Sequence, residues 1–491
     1  MIPELPILRQ GQPYTSLDVA EIPNIATGQP VIRISQANSG LVTREFMHTA
    51  SPRKALCAIP TLRRVELIKR AGEIFLHDTL PIGIDGQVQT SEDYVRQLSS
   101  TSGLPFSLIR MNMTRLAAVF GQIEIILQGL TRGLDLTVLD RGYGHQGGAP
   151  VSFGCVTDNL AVILPSNSPA VNALWIPSLA LGVPVILKPG REEPWTPWRI
   201  IEAMIKAGFP REAFSFIPTS HDGSAIMIRK AGRVMMFGDD ATVAQYASDP
   251  RVEVHGSGRS KILIGEDQIE QWRDFLPVMV ESVSANSGRS CINASAILVP
   301  KYGREIAEAI ATELKDMVPR AADDEAARLS GFANPAMPEY IDSTIADGLE
   351  TPGAVDVSAQ VRTGTPRTIS RDGMNYLLPT LVTCNNFDHP LANREFLFPY
   401  ASVTEVPQAD MLDQIGPSLV VTAITEDPAW IEDLLICPHI DRLNVGPTPT
   451  NRIQWDQPHE GNLFEFLYRR RSIGIPQLKL ECAIPCSFRY D

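Results

Sequence analysis

The apolar rhythm of the chain changes several times from the amino terminus onward. The first 50 residues mix turn formers with short β-prone runs such as Pro30–Ser35. From Thr61 to about Leu76, apolar positions recur at helical spacing with Arg and Lys on the opposite face, which predicts an amphipathic helix. Helices are also predicted over about 91–98 and over one long, richly apolar stretch, 108–127. Beyond Gly129 the pattern becomes extended. Leu134–Leu139 reads as a strand, Asp140–Gly148 as a glycine-rich turn and Pro150–Val156 as a returning strand. An isolated two-stranded ribbon is marginal in water, so this hairpin, about 133–157, must join a sheet or pair with a second subunit.

The clearest alternation follows. Asn159–Leu164 is a continuous apolar strand, Pro165–Pro169 a loop, Ala170–Leu181 a helix and Val183–Lys188 a second strand. Pro197–Ala207 reads as a helix, and Ala213–Ile217 and Arg233–Phe237 as strands. A second alternating block runs from Lys261 to about Asn444. Its strands are Lys261–Ile264, Ala294–Val299, Ala401–Val406 and Ser418–Ala423, and its helices Ile269–Ser284 and Arg304–Met317. The stretch of about 320–370, rich in Asp, Pro, Gly and Thr, reads as surface, and Gln477–Phe488 as a last strand. Strands separated by helices of this length build βαβ units on parallel sheets. The prediction is an α/β protein with an amino-terminal lobe over 1–258, a second lobe over 259–445 and a return segment over 446–491. The length, 491 residues, suits two to four domains.

Charge narrows the partners. With 43 Lys and Arg against 56 acids, the formal charge is −13, which disfavours a broad nucleic-acid or anionic-membrane surface but not an anionic small ligand. No apolar run approaches the roughly 20 residues needed to span a bilayer, and the first residues lack a basic region followed by an apolar one. The seven cysteines are odd in number and scattered, so a reduced, cytoplasmic protein is expected. Cys482 and Cys486 lack the companions a zinc site needs, and no metal is expected.

Three short segments carry candidate chemistry. Cys291 lies in a small, polar, glycine-containing turn (Asn286–Asn293) with Arg289 two residues away. Positive potential and access would make its thiolate a nucleophile, although a structural cysteine fits the same local context. Asn167, with Pro165 and Ser166, follows a strand and precedes a helix, where open α/β sheets bind ligands. Its amide could donate to an oxyanion or simply cap a turn. Lys188 ends an apolar strand and suits ribose or phosphate oxygens, or is a solvated strand tip.

In order and spacing these segments resemble the aldehyde dehydrogenase superfamily from about residue 60 to 470. Asn167–Pro169, Ser178–Gly182 and Leu187–Pro189 are similar to its loop–helix–strand around a catalytic Asn and a cofactor Lys. Asn286–Cys291 resembles its nucleophile turn, and Tyr376–Thr380 followed by Arg394–Pro399 its late cofactor segment. The resemblance implies that Cys291 attacks a carbonyl carbon and that Asn167 and the Cys291 N–H hold the oxyanion. Hydride then passes to NAD or NADP, leaving a thioester. It further implies that Pro165, Ser166, Lys188, Arg191, Gly238, Glu395 and Phe398 contact the dinucleotide, and that the hairpin pairs subunits into a homodimer or homotetramer.

The departures from the family shape the expected activity. Where hydrolytic members carry the Glu that activates water, the best alignment places His255. Coenzyme A ionises more easily than water and needs a base less, and acylating members commonly lack that Glu. The expectation is therefore interconversion of an aldehyde and an acyl thioester with coenzyme A as co-substrate. Alternatives are a hydrolytic enzyme using His255 or another base, a reductase of acyl phosphates, or a non-catalytic scaffold of the same fold. Arg191 stands where an acid often clasps the NAD ribose, which suits the 2′-phosphate of NADP, although Glu192 and Glu193 adjoin it. Gly238 is retained at the pyrophosphate helix without its second Gly. His459 and Glu460 could touch substrate, but polarity of a loop accounts for them.

Overall fold

The structure, a computed structural model, describes residues 2–474 apart from positions 48 and 85. Two seven-stranded sheets dominate it. In the first, the parallel order is Val252–His255, Arg233–Phe237, Leu160–Ile163, Val185–Lys188 and Phe214–Phe216, with Ile7–Arg9 and Gln12–Tyr14 added antiparallel at the far edge. Leu160–Ile163 pairs with Val185–Lys188 on one side and Arg233–Phe237 on the other. The order reverses there, so the loops after Ile163 and Phe237 open a crevice. The second sheet runs Ala354–Asp356, Thr380–Cys384, Tyr400–Glu405, Ala294–Val299, Ser260–Ile264, Ser418–Ile424 and Ile440–Val445. All its neighbours are parallel except the first pair. Only four residues separate His255, which ends the last strand of the first sheet, from Ser260, which begins the second.

The apolar runs of the sequence become the interior strands of both sheets, buried on both faces as a helix-covered parallel sheet requires. The helix predicted to end near Leu98 continues to Ser102. It starts at a Thr90–Asp93 capping box and stops at Gly103, whose φ is +77°. Its serine-rich last turn persists because Ser102 Oγ donates to the Leu98 carbonyl at 2.6 Å.

Other expectations are corrected. The stretch 108–127 is two helices, Phe106–Gly121 and Ile123–Leu130. Ala170–Leu181 is a 3-10 turn and a short helix, and Ile269–Phe275 is 3-10 before the helix Leu276–Ser284. Leu134–Leu139 is not a strand. Leu134, Leu136 and Val138 alternate and are buried, but through turns: Asp135 Oδ1 accepts from the Thr137 N–H at 2.9 Å, and a short helix starts at Val138. The hairpin instead comprises Tyr143–Gln146 and Ala149–Cys155, and Tyr468–Arg471 adds a third strand. The stretch 320–370 is not merely surface: it contains the helix Met337–Glu350, whose Ile341 and Ile345 are buried. Gln477–Phe488, with Cys482 and Cys486, lies outside the described residues. Among the described residues no helix is long and apolar enough to cross a membrane, and no cluster of side chains could hold a metal.

Candidate active site

The loop that carries Cys291 is bent against its own preference. Asn286, Ser287 and Gly288 have φ of +51°, +60° and +64°. For the two residues with a Cβ, each such conformation costs about 1–3 kcal/mol and needs compensation. The compensation is a buried polar frame. Asn112 Nδ2 donates to Asn286 Oδ1 at 2.8 Å, and Asn286 Nδ2 donates to the hydroxyls of Ser168 and Ser290 at 3.2 Å each. Ser287 Oγ accepts from the Ser330 N–H at 2.8 Å. A Cβ at Gly288 would lie 2.4 Å from the Phe398 carbonyl carbon, so only glycine permits that approach. Arg289 is half-buried, and its guanidinium donates to the Ser102 carbonyl at 2.9 Å.

Cys291 thus stands, half-buried, just before the strand Ala294–Val299, in the gap between the two sheets. Its thiol donates to Glu460 Oε1 at 3.1 Å. The other oxygen of Glu460 accepts from His255 Nδ1 at 2.9 Å. The side chains of Glu460 and His255 are 6% and 7% exposed, and among the described residues the buried His255 Nε2 has no partner. The imidazole stacks on Phe237 with centroids 4.6 Å apart. Burial, followed by the charges of Glu460 and Glu395, pushes the Cys291 thiol well above its ordinary pKa, so the resting sulfur is protonated. Burial also acts to raise Glu460, but the hydrogen bond from His255 and the neighbouring imidazoles outweigh it and leave that carboxyl near 2.

Asn167 is drawn to the same turn. Its Nδ2 donates to the Arg289 carbonyl at 3.0 Å, two residues before Cys291, and among the described residues its buried Oδ1 has no partner.

Of the residues expected at a dinucleotide, Pro165, Ser166, Lys188, Arg191 and Gly238 lie at or just beyond the ends of strands of the first sheet, and Glu395 and Phe398 lie on the loop before Tyr400–Glu405 of the second. Lys188 is half-buried at its strand tip, where burial lowers its pKa and Glu192 opposes the shift. Among the described residues its ammonium has no hydrogen-bond partner, which leaves it open to ribose or phosphate oxygens. Pro165 and Ser166 pack against Gly190, and Ser166 Oγ accepts from the Glu192 N–H at 3.2 Å, so they brace the Lys188 loop. Arg191 is exposed. Glu193 is buried and caps the helix Trp195–Ala207 through Thr196, so Glu192 is the acid beside Lys188. Gly238 and Asp239 begin a short helix, with the Asp239 carboxylate accepting from the Thr242 N–H at 2.8 Å. Glu395 accepts from the Arg259 N–H at 2.6 Å, and burial raises its pKa to about 7. Phe398 is 3% exposed and its ring packs with Phe396 and Tyr400. The accessible apolar side chain beside Glu395 is Leu397, 38% exposed.

A largely apolar cleft reaches Glu460. Val119, Ile126, Leu130, Leu174, Trp455 and Leu463 line it, together with Glu253, His459 and Glu460.

The model of the aldehyde dehydrogenase family matches residues 155–415, more than half of the chain. The chain belongs to that family. It is similar to the N-succinylglutamate 5-semialdehyde dehydrogenase of Sphingopyxis alaskensis, with 25% identity over 56% of this chain and 53% of that protein. It therefore spans about half the length of that relative. It is also similar to the betaine aldehyde dehydrogenase of Agrobacterium fabrum, with 22% identity over 78% of this chain and 75% of the other. An indole-3-acetaldehyde dehydrogenase solved with NAD+ superposes with a TM-score of 0.78 at 16% identity, covering 96% of this chain and 97% of that one.

Within this aldehyde dehydrogenase fold, sequence reasoning missed Asn112, Ser168 and Glu460. Asn112 sits on a helix some 170 residues before its partner, and nothing local to it signals a role. Glu460 was read as loop polarity, a reading its burial against the Cys291 sulfur corrects. The cue was available: an acid and a histidine adjoin at 459 and 460 in a segment with apolar flanks.

Proposed function

We propose that this protein oxidises aldehydes with NAD+ or NADP+ through a covalent thioester on Cys291. The observation that carries the reading is the half-buried sulfur of Cys291, which is hydrogen-bonded to Glu460, a residue of the cleft wall, and near enough to Glu395 to feel its charge. A bound nicotinamide dinucleotide supplies the hydride acceptor. Lys188 and Glu192 suit the adenosine ribose, Glu395 the second ribose, and the Gly238 helix start the pyrophosphate. The exposed guanidinium of Arg191 leaves room for a 2′-phosphate, so NADP as well as NAD fits. The relative solved with NAD+ supports this cofactor class.

Cys291 attacks the carbonyl carbon, and the oxyanion is held by the Cys291 N–H and the second hydrogen of the Asn167 amide, the first being bound to the Arg289 carbonyl. The cleft wall of Val, Ile, Leu and Trp favours an aldehyde with an apolar tail.

For release of the acyl group, the geometry favours water. The position of the family's Glu is His255, but a carboxylate stands at the sulfur all the same, from Glu460. The named relatives are an aldehyde and a semialdehyde dehydrogenase, and neither name points to coenzyme A. Transfer to coenzyme A is the second reading, supported by the His at position 255. Incubating the enzyme with an aldehyde panel and NAD(P)+, with and without coenzyme A, separates the two. Acid formed at equal rates without coenzyme A supports hydrolysis, and acyl thioester formed only with it supports the second reading. Cys291→Ser is expected to lose turnover, and turnover that survives it refutes both. The three-stranded sheet with Tyr143–Gln146 and Tyr468–Arg471 at its edges is the surface we assign to subunit pairing, tested by light scattering.

A further inference from the structure

The acid–base machinery of this site is rebuilt from a different part of the chain. Position 255 carries an imidazole, and its Nδ1 must hold the hydrogen because the partner, a carboxylate, only accepts. The carboxylate, Glu460, arrives from the carboxy-terminal return, 205 residues later. A second imidazole, His459, has its Nε2 3.7 Å from Glu460 Oε1. Its Nδ1 accepts from the Arg442 guanidinium, a group with donors only, so His459 is held neutral and turns its N–H toward Glu460. Burial, with the Arg442 charge, takes His459 down to about 4. Glu460 is thus fixed between two imidazoles while one of its oxygens rests on the reacting sulfur.

We propose that Glu460, oriented by His255, is the catalytic base of this enzyme and replaces the carboxylate that position 255 lacks. The proposal rests on Cys291 being the nucleophile. As the sulfur–carbon bond forms, the thiol proton moves to Glu460 Oε1 and the carbonyl π pair moves onto oxygen. A bound oxidised nicotinamide would accept the hydride that leaves the same carbon, giving the thioester, and Glu460 releases its proton to solvent. In the second half, water oxygen attacks the thioester carbon and its proton passes to Glu460. The carbon–sulfur bond breaks, and that proton returns to the sulfur, leaving acid and thiol.

The pH behaviour follows from the groups that face His255: Glu460, Glu253 two residues before it on its own strand, and beyond them His459, Arg442 and Cys291. Burial lowers the His255 pKa, but the hydrogen bond and charge of Glu460 exceed that effect and raise it above the ordinary value. An imidazolium beside Glu460 weakens it as a base. Turnover therefore rises with pH as His255 loses its proton.

The test compares steady-state turnover with alkylation of Cys291 by iodoacetamide, read by mass spectrometry. Glu460→Gln is expected to lower kcat/KM on the order of 10²–10⁴-fold, the usual worth of a general base. Iodoacetamide reacts with thiolate formed in equilibrium with solvent, so the same change, which removes the negative charge nearest the sulfur, speeds alkylation at neutral pH. A merely structural role would move both in one direction. Glu460→Asp, which keeps the charge, should restore part of the turnover and serves if the amide variant misfolds. His255→Gln should remove the acid limb from the pH profile. The proposal is overturned if Glu460→Gln stays within threefold of wild type, or if turnover and alkylation fall together in both Glu460 variants. With Cys291→Ser inactive, those outcomes sink the base alone. If Cys291→Ser remains active, the nucleophile assignment falls and the base with it.

Discussion

Gly258→Ala isolates the placement of the nucleophile from its chemistry. Gly258 lies in the crossing between the two sheets, three residues after His255, and its φ is not in the left-handed region, so the backbone accepts alanine. The space does not. A Cβ there would lie 2.1 Å from the Cys291 carbonyl oxygen, 2.8 Å from its carbon and 3.0 Å from its Cβ. Neither side withdraws freely: the Gly258 carbonyl accepts from the Leu419 N–H at 2.8 Å, and the Cys291 carbonyl accepts from Ser260 Oγ at 2.8 Å. Restoring ordinary contact requires Cys291 to shift by roughly 1 Å, and a misplacement of that size costs on the order of 10² in rate. Overpacking of this kind destabilises by about 1–3 kcal/mol, which a chain of this size survives. Reduced-nicotinamide formation gives kcat/KM, and thermal denaturation reports folding. A folded Gly258→Ala enzyme within threefold of wild-type kcat/KM would falsify the claim that Gly258 sets the position of the sulfur.

Three further outcomes follow from the same geometry. Asn112→Leu leaves Asn286 Oδ1 buried and unpaired, and should cost about 1–3 kcal/mol in chemical denaturation, with unchanged stability counting against the polar frame. Glu395, raised by burial to about 7, is neutral below that pH and charged above it, and a carboxylate accepts ribose hydroxyls more strongly than an acid. Dinucleotide affinity measured by titration should therefore tighten between about pH 6 and pH 8 in wild type and stay flat in Glu395→Gln. Glu193, raised by burial to about 8, has a folded-state pKa above the ordinary carboxylate range. Its contribution to stability is whole below that range and lost as pH climbs through about 8. Glu193→Gln, which keeps an acceptor for the Thr196 N–H, should raise the melting temperature more at about pH 8 than at about pH 5.

Legibility in the sequence tracked the range of the interaction that fixes each element. Strands such as Leu160–Ile163 and Ala294–Val299 are buried on both faces, and continuous apolar runs announce them without reference to partners. Leu134–Leu139 misled because alternation records which residues are buried, not the backbone path that buries them. There an Asp side chain bonded to its own backbone turned the chain. The helix Met337–Glu350 was hidden by a thin apolar face, Ile341 and Ile345, inside an otherwise polar stretch.

The site divides in the same way. Cys291, Asn167, Lys188 and Glu395 were singled out because each sits in a short segment whose neighbours constrain it. Glu460 was not, since its role exists only where the return segment meets the crossing between the sheets. Its effect on the expected activity is nonetheless large. The absence of a carboxylate at position 255 argued for a thiol acceptor only while no other carboxylate was known to reach the sulfur. With one oxygen of Glu460 on Cys291 and the other on His255, a carboxylate is present at the sulfur though displaced in sequence. A position-by-position comparison detects the loss at 255 and cannot detect the gain at 460, because the two are joined by a hydrogen bond rather than by the chain. The choice between water and coenzyme A therefore turns on that hydrogen bond rather than on the residue type at position 255.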